Sequence, residues 1–294
     1  MFTIGADPEF FLETVEGELR SAIGVIQGTK HDQLRVAKGG LQHDNVAAEF
    51  SCDPAGNENE FIDTLKSVLS DLNRVVKPLL LSKRSSADFP VGQLDSEEAR
   101  AFGCDPDYNC WSVERNVVPP EASELPFRSC GGHIHIGTKG NTPKTLVEGD
   151  GFLGRLTVVK AMDVFVGIPS ILLDNGPESK KRRTLYGKAG AHRPKPYGVE
   201  YRALSNFWMM SPSLARLVYR LTALACAGAD AGLLEEVRKD VSEEEVQRII
   251  NECDVVAARA VFDKHIRQYL KPETLNLLEG SIGKVYDAVE EWGL

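Results

Sequence analysis

Apolar and polar positions alternate along the first fifty residues, and a period of two predicts strands. The runs are "TIGADPEFFLE", "LRSAIGVI" and "LQHDNVAAEF", punctuated by Gly24, Gly28, Gly39 and Gly40. After residue 56 the period becomes helical. Phe61, Leu65, Val68, Leu69, Leu72, Val75 and Val76 fall on one face, and Asn57 with Glu60 three residues on has the form of a capping box. This helix is predicted to end near Lys77, before Pro78.

Between Ser82 and Pro126 neither period holds. Pro90, Pro106, Pro119, Pro120 and Pro126 interrupt the segment. A stretch that long inside a compact domain is a functional lid or binding loop, or hides short strands. Alternation returns in "GGHIHIG". Next, "DGFLGRLTVVKAMDVFVGIPSILL" reads as a buried helix kinked around Gly167 and Pro169. Residues 178–197 are polar and basic and read as loop, followed by a strand in "YGVEYRALSNFW". From Pro212 the pattern is helical almost to the end, with a second capping box from Ser242 to Glu245. The coarse class is α+β, with helices on one side of the strands and at the C-terminal end.

Composition narrows the functions. A chain of 294 residues, 42% hydrophobic, forms one large domain or two and has ample material for a core. A formal net charge of −9 argues against a mainly electrostatic nucleic-acid binder. No apolar run approaches the ~20 residues of a membrane helix. "MFTIGADPEFFLE" places acidic residues where a secretory leader is basic. Cys52, Cys104, Cys110, Cys130, Cys226 and Cys253 are scattered with no Cys-X-X-Cys pair, which suits reduced thiols in the cytoplasm.

Candidate chemistry follows from strand geometry, because residues i and i+2 share a face. Asp7 and Glu9, His133 and His135, and Glu200 and Arg202 all have that spacing; Asp44 and Glu49 share a face only across a bulge or turn. Each pair alone reads more readily as the wet side of a half-covered sheet. Together, carboxylates with one or two histidines suit Mg²⁺ or Mn²⁺ better than zinc. Packed on one face without cations, the carboxylates would repel one another. Lys180, Lys181, Arg182, Arg183, Lys188, Arg193, Lys195 and Arg202 lie against only Glu178 and Glu200 from residue 178 to 202. Within that stretch "KKRR" reads as a solvated basic loop, whereas Lys188, Arg193 and Lys195 are held close by glycines and prolines. Metal-holding acids beside phosphate-holding cations are what phosphoryl transfer requires. No Walker-type or kinase glycine loop is present.

Taken in order, "GADPEFFL", "HDNVAAEF", "FGCDPDYNCW", "CGGHIHIG" and "RRTLYGKAGAHRPKPYGVEYRALSNFW" resemble the phage-type COOH–NH2 ligases (type 2), of the glutamine synthetase and glutamate–cysteine ligase superfamily. The resemblance spans roughly residues 1–210. It implies a curved, mainly antiparallel sheet with helices on its convex side, a catalytic core over residues 1–211, and a helical region over 212–294 packed on it. It implies an ATP-dependent carboxylate–amine ligase working through an acyl phosphate, with ATP and two or three Mg²⁺ or Mn²⁺ ions. Asp7, Glu9, Asp44, Glu49, His133 and Glu200 would hold metal, while His135 would meet phosphate or substrate. Arg202 and Arg193 would act on the transferred phosphoryl group, joined by Lys188 and Arg183. Asp105, Asp107 and Asn109 are candidates for substrate, although an Asx-turn cluster holding its own loop explains them equally well. The implied partners are small or peptide-like acids and amines in the cytoplasm, of an infected host if the chain is phage-encoded. Two alternatives stand beside this: a metal-dependent hydrolase using the His-X-His strand, and a non-catalytic nucleotide-binding relative.

Overall fold

The computed structural model describes residues 2–100, 107–117, 119, 124–138 and 151–294. Eight antiparallel strands form the main sheet. In spatial order they are Leu34–Val36, Gly39–Asp44, Ala47–Cys52, Phe2–Phe10, Gly132–Thr138, Gly198–Tyr201, Ala191–Lys195 and Tyr108–Asn109. The N-terminal strand is therefore central, bonded on one side to the acidic hairpin and on the other to the His-X-His strand.

Alternation decides what each face carries. Ile4, Ala6 and Phe10 point into the core, as do Ile134, Ile136, Val199, Tyr201, Ala48 and Phe50. These share one apolar cluster with Phe61, Leu65, Leu69 and Leu72 of the Glu58–Val76 helix and with Leu214, Leu217 and Leu221 of the Pro212–Asp230 helix. Ile134, between the two histidines, is fully buried there. The opposite face carries Asp7, Glu9, His133, His135 and Glu200.

Several predicted elements form as read. Asn57 caps the first helix by accepting from the Glu60 N–H at 3.0 Å, and the helix ends at Val76. The long buried helix runs Phe152–Met162, passes through a π turn at Asp163–Gly167 and resumes at Ile168–Ile171. The unreadable segment hides short strands at Ser86–Asp88 and Tyr108–Asn109.

The basic stretch differs from the expected loop. Pro177–Leu185 is a helix opened by proline at its first position, with Arg182 and Arg183 buried. Residues Ala191–Lys195 form a strand paired with Gly198–Tyr201. The solvated-loop reading of "KKRR" fails because both guanidiniums find backbone carbonyls to bond.

Candidate active site

Two groups of ligating side chains sit side by side on the open sheet face. Asp7, His135 and Glu200 form one, and Glu9, Asp44 and Glu49 the other; within each, the ligating atoms lie within 4.8 Å of one another. Strand register produces this. Asp7 stands opposite His133, His135 opposite Glu200, Glu200 opposite Arg193, and Glu9 opposite Glu49. Asp44 joins because Asn45 takes the left-handed conformation (φ 55°), and the turn returns the chain into the Ala47–Cys52 strand. Asparagine tolerates that conformation, and its Oδ1 accepts from the Val46 N–H at 2.7 Å. A turn, rather than a bulge, lets Asp44 and Glu49 share a face.

The groups differ in charge balance. Glu200 is fully buried and paired with Lys195 at 2.9 Å, Arg193 at 3.3 Å and Arg202. Burial and Asp7 push its carboxyl up, but Arg202, His133 and His135 outweigh them and hold it at about 2. Burial also pushes the Asp7 carboxyl up; His135 at 2.9 Å and His133 at 3.3 Å reverse this and hold it well below the usual range. His135 is raised in return, Asp7 overcoming the effect of burial. Its Nδ1 pairs with the Tyr197 hydroxyl, which leaves Nε2 facing Asp7.

The second group is less well compensated: His133 and Arg202 act on Glu9, but burial outweighs them. Burial, then Asp44, Asp7 and Glu9, push the Glu49 carboxyl well above its ordinary value. Burial likewise raises Glu9, whose Oε2 accepts from the Gly131 N–H at 2.6 Å. Gly131 has to be glycine, since a Cβ there would overlap the His133 ring.

Two clefts flank these groups. One, of about 470 Å³ and mostly apolar, is lined by Thr3, Gly5, Asp7, Pro54, His135 and Tyr197. The other, about 70 Å³ and polar, is lined by Glu9, Asp44, Asp107, His133, Arg182 and Arg202. Arg202 lies between Glu200 and Asp107, the latter at 3.5 Å.

The remaining sequence candidates scatter. Arg183 lies outside both clefts: it donates to the Ser179 carbonyl and to Cys253 Sγ, each at 3.2 Å, and is buried against the Glu243–Glu252 helix region. Its neighbour Arg182 lines the polar cleft instead. Lys188 is exposed and lines neither cleft. Asn109 is spent on its own turn, with Oδ1 accepting from the Trp111 N–H at 2.7 Å and the Ser112 N–H at 3.2 Å. Asp105 lies outside the described residues. Sequence reading missed Arg182, the Lys195–Glu200 pair and the Tyr197–His135 pair. The i, i+2 spacing of Arg193 and Lys195 was the available signal for the second of these.

An α+β fold with acid clusters on an open antiparallel face, rimmed by cations, defines the class. The chain belongs to the phage phiEco32-like COOH.NH2 ligase-type 2 family, whose model matches residues 113–293. The match includes the C-terminal helices, where no motif was readable. No curated protein matches. Among solved structures, a bifunctional glutathione synthetase from Pasteurella multocida aligns with a TM-score of 0.49 and 10% identity, over 99% of this chain and 48% of that one. The chain thus spans about half the length of that structure. Among the described residues no helix is long and apolar enough to cross a membrane.

Proposed function

We propose that this chain is an ATP-dependent carboxylate–amine ligase that activates its acid as an acyl phosphate, on a glutamine-synthetase-like frame. The observation that carries the reading is the pair of ligand groups on one sheet face, with Arg202 paired to Glu200 of one group and lining a cleft together with Glu9 and Asp44 of the other. Their donor set fits hard divalent cations. Glu9, Asp44 and Glu49 offer only oxygen, and Asp7 and Glu200 add two more carboxylates beside His135. The all-oxygen second group suits magnesium or manganese better than zinc, which favours the ligase over the hydrolase alternative.

Asp7, His135 and Glu200 would hold one ion and Glu9, Asp44 and Glu49 another. Such ions, when bound, screen the carboxylates and offset charge on the polyphosphate oxygens. This makes His135 the ligand of its pair. His133, with Nδ1 at 3.5 Å from Arg202, faces the polar cleft. The roomy apolar cleft beside Tyr197 suits a nucleotide base, and the polar cleft beside Arg182 suits the acid. Arg202 and Arg193 then stand beside the γ-phosphoryl group as the carboxylate oxygen bonds to its phosphorus and the β–γ oxygen leaves with ADP, where they would offset the charge on the transferred group. Phosphate leaves when the amine attacks the acyl carbon, and an amide forms.

The test is thermal. Mg²⁺ with ATP should raise the wild-type melting temperature by ligand linkage. His135→Ala should abolish the shift, and His133→Ala should retain a reduced one. A full shift in His135→Ala would show that the ion is held elsewhere.

A further inference from the structure

Beneath the sheet, on the side away from the clefts, lies a carboxylate that the proposed reaction does not use. Asp163 is fully buried, in the π turn of the long helix. Its Oδ2 accepts from Trp111 Nε1 at 2.7 Å and its Oδ1 from the Tyr201 hydroxyl at 2.7 Å. The Gly190 backbone lies close by and, with Trp111 and Tyr201, favours the ionised form. No lysine or arginine among the described residues reaches it within ion-pair distance.

The two donors, and Gly190 packed beside Trp111, come from three segments. Trp111 follows the Tyr108–Asn109 strand, Gly190 precedes the Ala191–Lys195 strand, and Tyr201 ends the Gly198–Tyr201 strand. Those same segments carry Asp107, Arg193 with Lys195, and Glu200 with Arg202. Two glycines make room for the junction. A Cβ on Gly167 would come within 2.8 Å of the Tyr201 hydroxyl, and one on Gly190 within 2.7 Å of Trp111. Burial pushes the Asp163 carboxyl up to about 7 against the donors that favour its charge; each of its two oxygens accepts one of the two hydrogen bonds, whereas an amide has a single acceptor oxygen. Burying a carboxylate without a cation is costly, so a purely apolar contact would hold these segments more cheaply. Hydrogen bonds add directionality, which fixes where each segment lies.

We propose that Asp163 is a positioning residue: from behind the sheet it fixes Asp107, Arg193 and Arg202 relative to one another and so sets recognition of the γ-phosphate. It touches no substrate. This rests on the ATP-dependent reading of the site. Pi-type turns recur at functional sites, in keeping with its location.

Calorimetric titration of the full chain with ATP and with ADP, each with Mg²⁺, tests the proposal. The readout is the ratio of the two affinities, which reports γ-phosphate recognition and which a general loss of stability would not move. Asp163→Asn should lower the ratio about ten-fold, the worth of one buried hydrogen bond that loses its acceptor oxygen. Tyr201→Phe removes one donor, leaves the carboxylate and protects the test should Asp163→Asn fold poorly; it should lower the ratio in the same direction. An unchanged ratio in a folded variant, with the wild type preferring ATP, overturns the positioning role and leaves the ligase reading standing. A wild-type chain that binds neither nucleotide overturns both.

Discussion

Glu49→Gln is expected to stabilise the protein without metal and to weaken it with metal, a reversal of sign that few other substitutions here would produce. Glu49 is buried with Glu9 and Asp44 close by, their ligating atoms within 4.8 Å. Two carboxylates at that separation repel by on the order of 3 kcal/mol at an effective dielectric constant near 20. Part of this is relieved by protonation, because Glu49's carboxyl lies well above its ordinary value through burial and the neighbouring acids. A raised carboxyl binds more protons in the native state than in the unfolded one, so metal-free stability falls as pH rises above the ordinary value. Glutamine removes that falling limb. It keeps an oxygen for the Gln42 side-chain donor. At pH 8 in EDTA the variant should gain about 1–3 kcal/mol, or several degrees in a thermal melt. Adding Mg²⁺ should raise wild type and leave the variant nearly unmoved. A variant less stable than wild type in EDTA, or one with an undiminished Mg²⁺ shift, would refute the idea that this cluster is a cation site held under repulsion.

Other expectations concern the cationic side. Glu200→Gln should lose about 3 kcal/mol at neutral pH in EDTA, the worth of a carboxyl held at about 2 against an ordinary 4.5. Because that value is depressed, the stability is present above the ordinary value and lost as pH falls towards 2; acid unfolding curves of wild type and variant should therefore converge at low pH. Gly187→Ala should cost on the order of 1–3 kcal/mol by urea denaturation. Gly187 has φ +68°, and a Cβ there would overlap the Arg182 guanidinium.

Much of the acid face was legible because strand alternation is local. Asp7 with Glu9, His133 with His135, and Glu200 with Arg202 announce themselves by i, i+2 spacing, and the register then gathers them. The cationic wall was harder. Arg182 and Arg183 are adjacent on a helix, and which of them reaches the cleft depends on distant partners. Arg182 donates to the Ala203 carbonyl at 3.1 Å and the Arg202 carbonyl at 3.3 Å, whereas Arg183 reaches Cys253. Burial of Arg182 also holds its guanidinium down at about 10, a state no exposed basic loop would share. Asp163 was invisible for a similar reason: in the sequence it is one polar residue inside an apolar helix, and its donors lie 52 and 38 residues away.

The central claim is that an acid is activated by phosphoryl transfer from ATP. The direct measurement is isotopic. The chain is incubated with Mg²⁺, ATP, an amine pool and a pool of acids labelled with ¹⁸O in the carboxyl group, and the inorganic phosphate released is weighed by mass spectrometry. An acyl phosphate transfers one carboxyl oxygen to phosphate, so the account predicts labelled phosphate in step with ADP and amide. Unlabelled phosphate accompanying ADP, or amide formed without ADP, would contradict it.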